Sequence, residues 1–351
     1  MITANASKVK DVSQHYLGST VSNTASNKKW QSALANAIRD PHALLRLLDL
    51  SDDKYKKQLY LPDNFKLLVP HSYIAKMKKG DWNDPLLKQV LPIQDETKLA
   101  AGFVADPVGD LNAVISSGVL QKYQGRVLLI TTGACAVHCR YCFRRHFPYA
   151  SSMPDKDKWQ ETLSSIQNDN SIHEVILSGG DPLMIPDDRL QMMCEDIVKI
   201  PHIKTLRFHT RIPIFLPERI NNTFLDWATK LPIQKVMVIH ANHANELDQV
   251  VGETLAMLHE ANFSLLNQSV LLKGVNDSVE SLSALSHRLF SLKVLPYYLH
   301  QLDRVEGAAH FEVDRNKAIN LLKDLKNSLP GYLTPRLVEE ISGERSKQAI
   351  E

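Results

Sequence analysis

Between residues 126 and 300 six short apolar runs recur: 126-RVLLITT-132, 174-EVILSGG-180, 205-TLRFHT-210, 235-KVMVIHA-241, 264-SLLNQSVLL-272 and 293-KVLPYYLH-300. The segments between them are long enough for a helix. Several, such as 155-DKDKWQETLSSIQND-169, 188-DRLQMMCEDIVKI-200 and 246-ELDQVVGETLAMLHEA-261, place apolar residues at i, i+3 and i+4. Strands that alternate with helices pair in parallel through right-handed crossovers. The polar groups gather at the downstream ends of the runs: a cysteine loop after the first, Gly179-Gly180-Asp181 after the second, His240 and His243 after the fourth. That is the end at which an α/β barrel builds its active site. A closed barrel needs eight strands, so six predict an open, partial (β/α)6 barrel within the α/β class.

Upstream the texture differs. Residues 1 to 25 are polar and without pattern, 30-WQSALANAIRDPHALLRLLDL-50 has helical spacing interrupted by Pro41, and residues 51–96 mix helix-like pieces with prolines. Together they predict an N-terminal helical extension. The hydrophobic and charged shares, 44% and 23%, are those of an ordinary soluble protein, which argues against disorder and coiled coil. A net charge of +2 is too small for a nucleic-acid-binding field. No apolar run approaches the roughly 18 to 20 residues that span a bilayer, and the first residues lack the apolar core of a secretory signal, so the expected location is the cytoplasm, with no membrane partner. Clustered cysteines there are read as ligands rather than structural disulfides.

Three of the four cysteines, Cys135, Cys139 and Cys142, stand in 133-GACAVHCRYCFRRHF-147, directly after the first run. The spacing C-x3-C-x2-C suits zinc, an iron–sulfur cluster, a disulfide with a spare thiol, or one face of a helix. Cys194 lies in the apolar pattern LQMMCEDIV and reads as a small buried hydrophobe, so three thiols close no structural zinc site. On an iron–sulfur cluster, normally held by four thiolates, three leave one iron open to another ligand.

With Tyr141 before the last cysteine, 135-CAVHCRYC-142 resembles the C-x3-C-x-aromatic-C signature of the radical S-adenosylmethionine (SAM) superfamily. The resemblance implies a [4Fe–4S] cluster on Cys135, Cys139 and Cys142 that binds SAM through its open iron. It also implies contacts to SAM from Tyr141 and from Gly179, Gly180 and Asp181 of 178-SGGDP-182. From about residue 120 onward the chain resembles the lysine 2,3-aminomutase family within that superfamily. The blocks are 139-CRYCFRRHF-147, 178-SGGDPL-183, 211-RIPIFLPERI-220, 239-IHANHANE-246, 267-NQSVLLKGVND-277, 296-PYYLHQLD-303 and 308-AAHF-311. The wording of the cysteine loop is most similar to the branch that makes (R)-β-lysine for elongation factor P.

That family also uses pyridoxal phosphate. The segment 335-PRLVEEISGERSK-347 resembles its cofactor-lysine segment, which makes Lys347 the attachment site, although ISGERS replaces the family's glycine run and Glu340 its aspartate. Arg144 takes the position that binds the substrate carboxylate, a task suited to a planar, always charged guanidinium. Asp303 and Glu340 take those that bind the lysine side-chain ammonium, and Lys122 and Arg126 those near the cofactor phosphate. Arg145 is read as a surface charge; His240, Asn242 and His243 face the site at a strand end and are assigned no chemical role, histidines in such loops often serving as hydrogen-bonding scaffold. The implied reaction is a 1,2-amino shift on free L-lysine with SAM regenerated, fed by an electron donor such as flavodoxin or ferredoxin and linked to the ligase that modifies elongation factor P. The division expected is residues 1–110 as the extension, 111–330 as the partial barrel, and 331–351 as the segment that carries the cofactor lysine. The rival readings are a radical SAM enzyme without pyridoxal phosphate and a zinc-stabilised binding protein.

Overall fold

The computed structural model describes residues 25–149 and 158–351. The six apolar runs form β3 (Arg126–Thr132), β4 (Glu174–Gly179), β5 (Thr205–Thr210), β6 (Gln234–Ile239), β7 (Phe263–Val270) and β8 (Leu295–His300), side by side in chain order. They pair in parallel throughout. Before them come the short strands β1 (Val114–Ser116) and β2 (Val119–Leu120), which add antiparallel to the edge of β3. The order runs from β1 to a tenth strand with two free ends, so the sheet stays open as expected.

Helices Trp159–Gln167, Asp187–Val198, Asn222–Ala228, Gln249–Glu260, Val279–Ser291 and Arg315–Ser328 fill the connections. The first three residues of the helix expected over 155–169 lie outside the described residues. Leu206 and Phe208 of β5 share one apolar core with Leu190, Ile197 and Phe224 from these helices. The two-residue period of a strand therefore turns Arg207 and His209 to the concave face. Arg207 meets Glu174 of β4 there at 2.6 Å. A closed barrel fills this space with branched aliphatics; here the concave face carries polar groups.

Two elements differ from expectation. Residues 51–96 contain only single turns, Asp53–Lys56, His71–Ile74, Pro85–Lys88 and the 3₁₀ turn Gln94–Thr97, because Pro62, Pro70, Pro85 and Pro92 each remove a backbone donor. Asp84 starts one of them by accepting from the backbone N–H groups of Leu86 and Leu87, both at 2.8 Å. Pro41, which breaks the pattern over 30–50, is the first residue of helix Pro41–Leu47, capped by Asp40. Trp30, Leu44, Tyr73, Leu86 and Val90 belong to the barrel's own core cluster. At the other end, Arg336–Glu339 is a seventh parallel strand, β9, on β8. β10 (Gln348–Ala349) folds back antiparallel onto it. With only Leu337 and Val338 apolar among charges, β9 lacks the run that marked the others.

Candidate active site

The cysteine loop is fastened at its root by the end of β4. Gly180 N–H donates to Thr132 O at 2.7 Å and Asp181 N–H to Ala134 O at 2.8 Å. Gly179 has φ +123°, and a Cβ on it or on Gly180 would strike the carbonyl oxygens of Thr132 and Ala134. The glycine pair is thus required by the approach of the loop's own backbone. The Asp181 carboxylate accepts from Thr210 Oγ1 at 2.7 and 2.9 Å, from Leu183 N–H at 3.1 Å and from Arg211 N–H at 2.8 Å. Burial raises its pKa to about 6 in spite of these donors. Asp181 therefore ties together the ends of β3, β4 and β5, its backbone N–H reaching Ala134 after β3 and its carboxylate reaching Thr210 and Arg211 at the end of β5.

Cys135, Cys139 and Cys142 are all partly exposed on this loop, whereas Cys194 is buried within its helix, as expected of a small hydrophobe. Among the described residues no three ligating side chains close around a single ion. The thiolates of an iron–sulfur cube stand farther apart, each on its own iron, and three part-exposed thiols on one loop fit such a group. The Tyr141 hydroxyl points inward: Asn242 Nδ2 donates to it at 2.7 Å, Arg211 Nη1 also donates to it, and it donates to Gln89 Oε1 at 3.3 Å. Asn242, to which the sequence assigned no chemical role, is a hydrogen-bonding scaffold here, since its Oδ1 also accepts from Val270 N–H at 2.8 Å.

Arg145 is not the surface charge it was expected to be. Its side chain is 6% exposed and donates to Glu96 Oε2 at 2.8 Å. Glu96 also holds the fully buried Arg140, through bonds of 2.8 and 2.5 Å. One carboxylate of the N-terminal segment thus binds two arginines of the cysteine loop, because two buried cations require a buried anion.

Four of the remaining expected site residues, Arg144, Lys122, Glu340 and Lys347, meet in one chain of contacts. Arg144 donates from Nε to Asp110 Oδ2 at 2.6 Å and from Nη1 to Ser178 Oγ at 3.2 Å. Lys122 binds Asp110 Oδ1 at 2.7 Å and Glu340 Oε1 at 3.0 Å, and Lys347 pairs with Glu340 Oε2. Burial would raise Glu340, but Lys347 and Lys122 outweigh it and bring the pKa down to about 2. Lys122 is therefore a largely buried link between two carboxylates. Asp303 is part-buried on the wall of a cleft of about 780 Å³, whose lining includes Glu340 but none of the cysteines. Burial raises Asp303 to about 7, with Lys347 opposing the shift.

The buried polar atoms of this region without a hydrogen-bond partner include Arg126 Nε, His209 Nε2 and His300 Nε2. Burial, then Arg207 and Lys347, lowers His209 to about 3; burial followed by Lys347 and His209 also lowers His300. Unpaired polar atoms beside Lys347 fit a polar, phosphorylated cofactor, since buried donors and acceptors require partners. Sequence reasoning missed Asp110, Glu96, Gln89 and Glu246. Arg211 opens a block quoted for the family but was given no role.

Residues 129–223 match the radical SAM superfamily. The chain is 44% identical over 330 residues to the L-lysine 2,3-aminomutase of Escherichia coli, covering 94% of this chain and 96% of that protein. It is also 44% identical over 320 residues to that of Haemophilus influenzae, covering 91% and 95%. The Clostridium subterminale enzyme of the same name is 30% identical over 324 residues, 92% of this chain and 77% of its own length. Identity at this level across nearly the whole of two relatives places the chain in the radical SAM L-lysine 2,3-aminomutase family.

Proposed function

We propose that the protein moves the α-amino group of free L-lysine to Cβ, giving (R)-β-lysine, with a [4Fe–4S] cluster, SAM and pyridoxal phosphate as cofactors. The observation that carries this reading is the continuous chain Arg144–Asp110–Lys122–Glu340–Lys347, which joins the cysteine loop to the C-terminal lysine. When bound, the cluster and SAM supply a carbon-centred radical that takes and returns a hydrogen, and pyridoxal phosphate carries the migrating nitrogen.

Arg144, fixed in plane by Asp110 and Ser178, offers its guanidinium to the substrate carboxylate. Asp303 and Glu340 provide two acids for the side-chain ammonium. A glutamate side chain would meet repulsion from the same pair. Lys347 and the substrate ammonium are alternative cationic partners for Glu340, so a lysine that leaves Glu340 for its cofactor frees an anion for substrate. Arg126 and the neutral imidazoles of His209 and His300 offer hydrogen bonds on the concave face.

An electron donor such as flavodoxin or ferredoxin, and delivery of the product to the ligase that modifies elongation factor P, complete the reading; both rest on the family resemblance alone. The decisive experiment is borohydride reduction of the reconstituted protein followed by peptide mapping. The pyridoxyl group is expected on Lys347, and Lys347→Ala should lose it while keeping the cluster. A label on Lys273, Lys317 or Lys323 would overturn the assignment, and an unlabelled protein that still forms a cluster would favour a radical SAM enzyme without pyridoxal phosphate.

A further inference from the structure

Arg211 follows directly on β5, and its guanidinium is buried beneath the cysteine loop. All three of its nitrogens donate. Nε bonds His240 O at 2.9 Å, Nη1 bonds Cys139 Sγ at 2.9 Å and also the Tyr141 hydroxyl, and Nη2 bonds Glu246 Oε2 at 2.8 Å and Gln89 Oε1 at 3.2 Å. Glu246 is fully buried, and its other oxygen accepts from Gln89 Nε2 at 2.8 Å and Asn242 N–H at 3.1 Å. The Phe215 ring, 4.4 Å from the guanidinium carbon, packs against its face. The cation is thus held in a single orientation, with one nitrogen on a cysteine sulfur and another on its counter-ion.

A cluster that accepts an electron gains negative charge on its sulfurs. A hydrogen bond and a fixed positive charge at one of those sulfurs favour the reduced form more than the oxidised form, and hydrogen bonds to sulfur are among the factors that set cluster potentials. A buried site magnifies the effect because little solvent intervenes. We propose that Arg211 is a positioning residue that raises the reduction potential of the cluster through its N–H···S bond to Cys139, and that Glu246 limits the rise by balancing its charge. The step concerned is the entry of one electron from a low-potential one-electron donor into the cluster, with no bond or proton transferred. This inference rests on the cluster reading above.

The test is an anaerobic, EPR-monitored redox titration of the full chain reconstituted with iron and sulfide, without SAM or pyridoxal phosphate. Where the wild-type cluster is half reduced, Arg211→Gln should show a reduced-to-oxidised ratio about tenfold lower, which for a one-electron couple is a shift of about 59 mV to more negative potential. Glu246→Gln, which leaves the arginine charge uncompensated, should shift the couple the other way. Opposite signs cannot come from a general loosening of the loop. An unchanged ratio in Arg211→Gln with its iron retained, or shifts of the same sign in both variants, overturns the proposal. If Arg211→Gln takes up no iron, Glu246→Gln decides alone: a more positive potential supports the proposal, and no shift or a more negative one overturns it. Failure of the cluster reading would look different, since the wild-type chain itself would then bind no cluster.

Discussion

Asp110 lies between two cations of the site, and its removal tests whether the chain of contacts holds the site together. Its side chain is 2% exposed, and its partners Arg144 and Lys122 are 8% and 20% exposed, at 2.6 and 2.7 Å. Burial alone would raise its pKa, yet Arg144 and Lys122 hold it below the usual carboxyl value. Asp110→Asn keeps an acceptor for one partner but turns an amide N–H toward the other, so a buried cation loses its counter-charge. Breaking a buried pair from one side costs about 3–5 kcal/mol. With an unfolding entropy of about 2.1 cal/mol/K per residue over 351 residues, such a loss lowers a cooperative melting midpoint by roughly 4–7 °C. The control is Asp53→Asn, whose pair with Lys56 at 3.1 Å is 85% exposed on the aspartate side. An exposed pair of that kind contributes between about 0 and 1 kcal/mol. The assay is thermal unfolding of both variants beside wild type, with the lysine dissociation constant as a second readout, because a displaced Arg144 must weaken carboxylate binding. A midpoint for Asp110→Asn that falls no further than that of Asp53→Asn, with unchanged lysine affinity, would refute the reasoning.

Two further outcomes follow from the site. Replacing Cys135, Cys139 or Cys142 by Ala should abolish the roughly four irons bound per chain on anaerobic reconstitution, while Cys194→Ala should retain them; loss of iron through Cys194 alone would sink the assignment. Asp303, raised by burial to about 7 from an ordinary 3.8, keeps its proton in the folded state until the pH passes about 7. Its contribution to stability is therefore full below about 3.8 and is lost as pH rises through about 7, while its attraction for the substrate ammonium grows over the same upper interval. The KM for lysine should fall as pH rises through about 7, and this dependence should vanish in Asp303→Asn; a dependence that survives in the variant assigns the titration to another group.

How much of this was legible beforehand depended on whether the signal was local. The apolar runs marked β3 to β8 because the face of each strand under the helices must be apolar, and in β4 the successive residues Val175, Ile176 and Leu177 are buried on both faces. β9 was invisible by the same rule: it supplies only Leu337 and Val338 to the core, and its last residue, Glu339, pairs with Arg315 of the preceding helix. The spacing of the three cysteines is also local, since one loop must present all three thiols. The partners of the buried cations are not. Lys122 finds Glu340 218 residues away, Arg145 finds Glu96 49 residues upstream, and Gln89 and Glu246 are 157 residues apart. Nothing in a window of sequence distinguishes such an acid from one in water, so Arg145 read as surface and Asp110 attracted no notice. Yet a buried guanidinium requires a buried acceptor wherever it lies. Once the loop after β3 was read as an active-site loop, its Arg140, Arg144 and Arg145 already called for carboxylates from outside it. Glu96 and Asp110 come from the segment ahead of the barrel, which is therefore part of the site's electrostatic frame as well as its covering.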